Sequence, residues 1–169
     1  MKTSSIAPAI APGLAALLLA ACAGYGPGHT HVGEPAAEVL AELGQPTGQY
    51  PRPEGGERLE FARGPYGKHT FMVDVDTSGK VQHWEQVLRE DVFYGIQPGM
   101  RAEELRYRLG RPARVNGIWR GATVWSWRYE TPFCQWFQVT VEPSGVVRDA
   151  GFGPDPLCEV HDKEMARKR

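Results

Sequence analysis

Apolar positions along this chain follow two periods, and each period occurs twice. At helical spacing, Ala36, Val39, Leu40 and Leu43 form one stripe, while Ala102, Leu105 and Leu109 form another. Both stripes end in Leu-Gly-x-Pro, at residues 43–46 and 109–112. The glycine is expected in the left-handed position after the helix, and the proline stops the helix resuming. At strand spacing, Leu59/Phe61 and Trp125/Trp127/Tyr129 alternate with polar neighbours, as do Phe71/Val73/Val75 and Phe137/Val139/Val141. Ser78-Gly79 and Ser144-Gly145 then mark tight turns into a further strand through Val81 and Val147.

These matches share one spacing. Residues 31–81 align on 97–147 without a gap, pairing Gly33 with Gly99, Ala36 with Ala102, Glu38 with Glu104 and Gly55 with Gly121. Agreement concentrates in structural punctuation and apolar phase, as a duplicated unit requires. The predicted fold class is α+β: two tandem units, each a short helix or helix pair followed by a three-stranded antiparallel sheet. One sheet face packs on helix and the other stays open. The expected organisation is a signal at 1–21, a tether at 22–30, units at 31–90 and 91–158, and a charged tail at 159–169. Val92, Phe93, Tyr94 and Ile96 between the units read as interface-packing residues.

Composition narrows the function. The 169 residues carry a formal net charge of −1, so no basic field favours nucleic acid. Lys2 followed by the apolar stretch Ile6–Ala21, broken by Pro8, Pro12 and Gly13, suits an export signal better than a bilayer-spanning helix. Leu19-Ala20-Ala21-Cys22 resembles a bacterial lipobox, which implies acylation of Cys22. Two or more acyl chains there would anchor the chain stably. Ala23, where Asp would signal inner-membrane retention, implies the outer membrane. Cys134 and Cys158 are then the remaining thiols, and in an oxidising periplasm such a pair is expected to form a disulfide.

Taken together, the lipobox, the Leu-Gly-x-Pro helix ends, Trp127-Arg128-Tyr129, the Phe-x-Val-x-Val strands and the Ser-Gly turns resemble the BamE/SmpA/OmlA family. Its members are small outer-membrane lipoproteins, best known as accessory subunits of β-barrel assembly. Residues 96–112, IQPGMRAEELRYRLGRP, carry the closest likeness. The family has one unit where this chain shows two. Arg63 and Glu34 stand in the first unit where Tyr129 and Met100 stand in the second. The doubled layout is similar to β-lactamase-inhibitory proteins, which present a concave aromatic sheet to a partner.

Catalytic motifs are missing from the sequence: it has no Walker loop, HExxH, CxxC or Ser-His-Asp order. His29/His31 read as tether, and His69 and His83 have no companion at a recognisable spacing. Asp74 and Asp76 read as a solvated strand face. No cofactor, metal, small-molecule substrate or enzymatic activity is expected. The residues expected to bind a partner are Trp84, Trp119, Trp136, Met72 and Arg128, beside Glu60, because aromatic, Met and Arg side chains suit protein recognition. The other reading of Trp84 and Trp136 is that they pack between the units. The expected function is protein contact in envelope assembly or maintenance, by a lipid-anchored, periplasm-facing outer-membrane protein. The alternative is a module that sequesters a periplasmic or extracellular protein.

Overall fold

The computed structural model describes Gly26, residues 32–64 and residues 67–158. The signal segment, Cys22, His29/His31 and the charged tail lie outside the described residues. The fold is α+β with two separate four-stranded antiparallel sheets. In chain order it runs α1 (Ala36–Leu43), β1 (Gly48–Pro51), β2 (Glu57–Arg63), β3 (His69–Val75), β4 (Val81–Gln86), α2 (Glu90–Phe93), α3 (Ala102–Leu109), β5 (Arg114–Gly117), β6 (Thr123–Arg128), β7 (Gln135–Val141) and β8 (Val147–Pro154). Each sheet is a meander in sequence order.

Each sheet thus has four strands rather than the expected three. The additional strands are β1, Gly-Gln-Tyr-Pro, and β5, Arg-Val-Asn-Gly. Both are short edge strands without an apolar alternation, so neither carried the periodic signal that revealed the others.

Position-by-position agreement between the halves extends to backbone hydrogen bonds. Ala36 N–H donates to the Gly79 carbonyl, and Ala102 N–H to that of Gly145, so a hairpin turn satisfies one N-terminal donor of each helix. Gly44 and Gly110 end the helices by donating to Leu40 and Arg106. Their conformations are φ 73°, ψ −157° and φ 74°, ψ −167°. These are not the left-handed helical angles expected from the sequence. They lie in an extended, positive-φ region open essentially to glycine alone.

At eight residues, α1 and α3 are too short to persist without tertiary support. Val39 and Leu43 of α1 pack on Leu59, Phe61, Phe71, Val73, Val75 and Val81, filling one face of the first sheet. Leu105 and Leu109 of α3 do the same on Trp125, Trp127, Phe137, Val139, Val141 and Val147. The first sheet's second face, however, is not open. Met72 joins the second unit's core, and Arg58 donates to the Tyr107 carbonyl at 3.3 Å while its guanidinium lies 4.6 Å from the Tyr107 ring centre. The layers are therefore α1, first sheet, α3, second sheet. Val87, Leu88, Phe93 and Ile96 from the connecting segment complete the larger core, whereas Tyr94 is exposed.

Candidate interaction surface

The buried face between the first sheet and α3 is where titratable groups gather. Arg58 and Asp74 sit opposite each other on β2 and β3 and form a two-point ion pair, at 2.7 and 2.9 Å. Glu85 adds a contact at 3.5 Å. Burial opposes the Arg58 charge, but Asp74 outweighs it and raises the guanidinium above its ordinary value. Glu60, wholly buried, accepts from the Tyr50 hydroxyl at 2.6 Å, Thr47 Oγ1 at 3.1 Å and the Arg111 N–H at 3.2 Å. Burial first, then Glu60, pushes the Tyr50 hydroxyl above its usual range. A cleft of about 640 Å³ opens beside this network, between Tyr50, Pro51 and Pro53 on one side and Glu104, Tyr107 and Arg108 on the other. Arg108 is itself paired with Glu104 at 2.9 Å. Arg58 is paired with Asp74 and Glu85, Arg108 with Glu104, and Glu60 is held by three neutral donors, which makes the face a polar seam that fixes how the units stack.

Two expectations change here. Asp74 and Asp76 do not share a solvated face. Asp74 is buried against Arg58, while Asp76 lies past the end of β3 and ties the turn by accepting from the Ser78 and Lys80 N–H groups. Glu60 is no surface residue, because α3 and its C-terminal turn cover it.

The five candidate binding residues do not converge. Met72 is fully buried, since α3 covers the face that the sequence left open. Trp136 is 3% exposed, with the Arg128 guanidinium 5.0 Å from its ring centre. Arg128 is held there by a two-point pair to Asp155 at 2.6 and 3.0 Å. Burial would raise the Asp155 carboxyl, but Arg128 and the Leu157 N–H outweigh it and hold the group below its ordinary value.

Trp84 is half-buried and packs against Phe71, with ring centres 6.1 Å apart. Its direction is set by a β-bulge. Asp74 pairs with His83 but Val75 pairs with Val81, so Gln82 is supernumerary and Trp84 comes opposite Val73 on the core side. Simple alternation from Val81 gave the opposite face. The same bulge recurs where Thr140 pairs with Asp149 and Val141 with Val147.

Trp119 alone of the five is freely exposed, at 80%. It sits in the turn between β5 and β6, beneath the Arg120 guanidinium at 4.3 Å. Arg120 has φ 66°, an uncommon conformation for a residue with a side chain. Val115 and Ile118 on the same edge are also exposed, as are Tyr94 and Phe152 at the opposite edge. Seven of the eight large exposed hydrophobic residues described belong to the second unit. Four of the seven have polar or proline counterparts in the first unit: Gln49 for Val115, Arg52 for Ile118, Pro53 for Trp119 and Gln86 for Phe152. Comparing each residue with its partner 66 positions away reveals this divergence in the sequence itself.

Cys134 and Cys158 form a disulfide, with Cα atoms 6.1 Å apart, and it ties the turn after β6 to the segment after β8. Among the described residues no group of three or more His, Cys, Asp or Glu could hold a metal ion. None of the described helices is long and apolar enough to cross a membrane.

No family model and no curated protein matches the chain. Among solved structures it is similar to an extracellular SCP-domain protein of Bacillus anthracis, at 13% identity and TM-score 0.29, over 73% of this chain and 44% of that one. A cysteine-rich secretory protein of Staphylococcus aureus gives 13% identity and TM-score 0.29, over 75% and 44%. A DUF4309 family protein, YjgB, of Bacillus subtilis gives 15% and 0.27, over 72% and 79%. The chain spans less than half the length of the first two. Superpositions this loose carry no conclusion about fold or function.

Proposed function

We propose that this chain is a non-catalytic lipoprotein built from two units of the BamE/SmpA/OmlA kind. It is anchored through Cys22 in the outer membrane, faces the periplasm and acts by binding protein in envelope assembly or maintenance. The observation that carries the protein-binding reading is the one-sided divergence between the halves. Val115, Ile118 and Trp119 are exposed at one edge of the second unit where the first has Gln49, Arg52 and Pro53. Folding gains nothing from exposed apolar side chains, and an interaction surface supplies a reason to keep them. Arg58, Glu85, Glu104 and Arg108 line the open cleft, but Arg58 is paired with Asp74 and Glu85, and Arg108 with Glu104, so the protein's own groups occupy them. The anchor and location rest on the lipobox resemblance at Cys22. The alternative sequestering module calls for one continuous concave sheet, whereas here α3 separates two sheets.

Co-purification of the lipoprotein in mild detergent tests the proposal. An envelope protein recovered at constant stoichiometry, and lost with Trp119→Ala plus Ile118→Ala, is the expected outcome. Recovery of no envelope protein, with normal outer-membrane barrel levels on deletion, contradicts it.

A further inference from the structure

From the difference between the two edge strands β1 and β5, we infer that β5 is a docking edge for an extended, carboxylate-bearing segment of a partner protein. This rests on the protein-binding reading above and gives that surface a ligand chemistry. Among the described residues, β5 pairs only with β6, as β1 pairs only with β2. Ile118 N–H donates across to the Ala122 carbonyl, and Arg52 N–H to that of Gly56. Hydrogen-bonded pairs alternate along an antiparallel ladder, so Asn116 and Arg114 also point their backbone groups toward β6. Val115 and Gly117 therefore turn theirs outward. The corresponding outward positions of β1 are Gln49 and Pro51. Proline has no N–H to donate, and Pro53 follows two residues later. The first edge is blunted in the way proteins avoid strand addition, while the second is left able to accept it.

Side chains on β5 say what would be accepted. Arg114 shares the sheet face of Ser126, and Val115 that of Trp125. An added strand would meet a cation on one face and an apolar residue on the other. Residues 111–121 include Arg111, Arg114 and Arg120 and no carboxylate. Val115, Ile118 and Trp119 stand exposed among them. The complementary segment alternates Asp or Glu with an apolar residue, and its main chain bonds to Val115 and Gly117. Strand addition of this kind takes affinity from the main chain and selectivity from alternate side chains.

The test uses the full chain, labelled for amide resonances, titrated with an eight-residue peptide alternating glutamate and valine. Its lysine–valine counterpart and phosphatidylglycerol vesicles serve as the other two probes. The glutamate–valine peptide is expected to shift and protect the Val115 and Gly117 amides, with the lysine–valine peptide at least tenfold weaker. Gly117→Pro should weaken binding at least tenfold with an unchanged melting temperature. Pro51 already occupies the matching place, and a Cβ on Gly117 meets nothing within 4 Å. Arg114→Glu should reverse the preference between the two peptides. Binding that survives Gly117→Pro, shifts confined to other residues, or a response to the vesicles in place of the peptide would each overturn the assignment. Loss of the peptide effect while an envelope protein still co-purifies removes the docking edge alone; loss of both removes the protein-binding reading as well.

Discussion

The two sheets of this molecule are built alike and used differently, and the contrast lies on the faces turned away from their own helices. On the first sheet, Arg58, Glu60, Met72 and Asp74 are covered by α3. On the second, the residues at the same positions are Val124, Ser126, Gln138 and Thr140. There the coverage comes from the sheet's own side chains: Gln138 donates to Ser126 at 3.2 Å, Thr140 to Asp149 at 2.7 Å, and Arg128 lies over Trp136. A repeat stacked on a repeat must specialise in this way, because the inner sheet has a neighbour on each face and the outer one does not. Charge on the inner sheet must be paired, since leaving it unpaired in a dry interface is costly. The outer unit is where surface can diverge, and the exposed Val115, Ile118, Trp119 and Phe152 are found there.

Substitutions at matched positions sharpen this contrast. The largest effect is expected from Arg58→Ala, which leaves the Asp74 carboxylate in the seam with only the longer Arg52 contact at 3.8 Å. Removing one partner of a buried pair costs roughly 3–5 kcal/mol, and chemical denaturation would read it. Next comes Met72→Ala, expected to cost about 2–5 kcal/mol through the lost methylenes and the cavity left behind. Its counterpart Gln138→Ala forfeits one hydrogen bond, worth roughly 0.5–1.5 kcal/mol. Equal losses at 72 and 138 would mean that α3 does not seal the first sheet.

Reduction of the Cys134–Cys158 bridge opens a loop with a sequence separation of 24. It should lower stability by about 3 kcal/mol, measured by melting with and without reductant.

A smaller effect concerns acid. Asp155 is held below its ordinary value of 3.8 in the folded state, so it binds protons less readily there than in the unfolded chain. Its contribution is complete above about pH 4 and is lost as pH falls through the lowered folded value. Arg128→Ala removes the main cause, and the acid-induced fall in melting temperature should shrink.

The least effect on stability, within about 0.5 kcal/mol, is expected for Trp119→Ala, since exposed positions away from structural features rarely contribute more.

Much of this architecture was legible in the residues because it depends on local rules. The 66-residue correspondence, the glycines ending both helices and the strands centred on Phe71 and Phe137 all follow from spacing and turn chemistry. Edge strands β1 and β5 did not, since four residues such as Gly-Gln-Tyr-Pro carry no periodic signal. Trp84 was turned inward by one bulge residue, Gln82, and alternation has no means of announcing that. The burial of Met72 and Glu60 depends on α3, which is contributed by residues some 40 positions later in the chain. Patterns within one unit cannot show that another unit will cover it. Trp119 was readable because its Gly-flanked turn keeps it clear of either core.

The central claim is that the second unit meets a partner while the first supports it. Photo-crosslinking in cells, with the reactive side chain placed at Trp119 in one strain and at Pro53 in another, tests it most directly. Adducts with an envelope protein from position 119, and few from 53, are the expected result. Equal adducts from both positions, or none from 119, would contradict the claim.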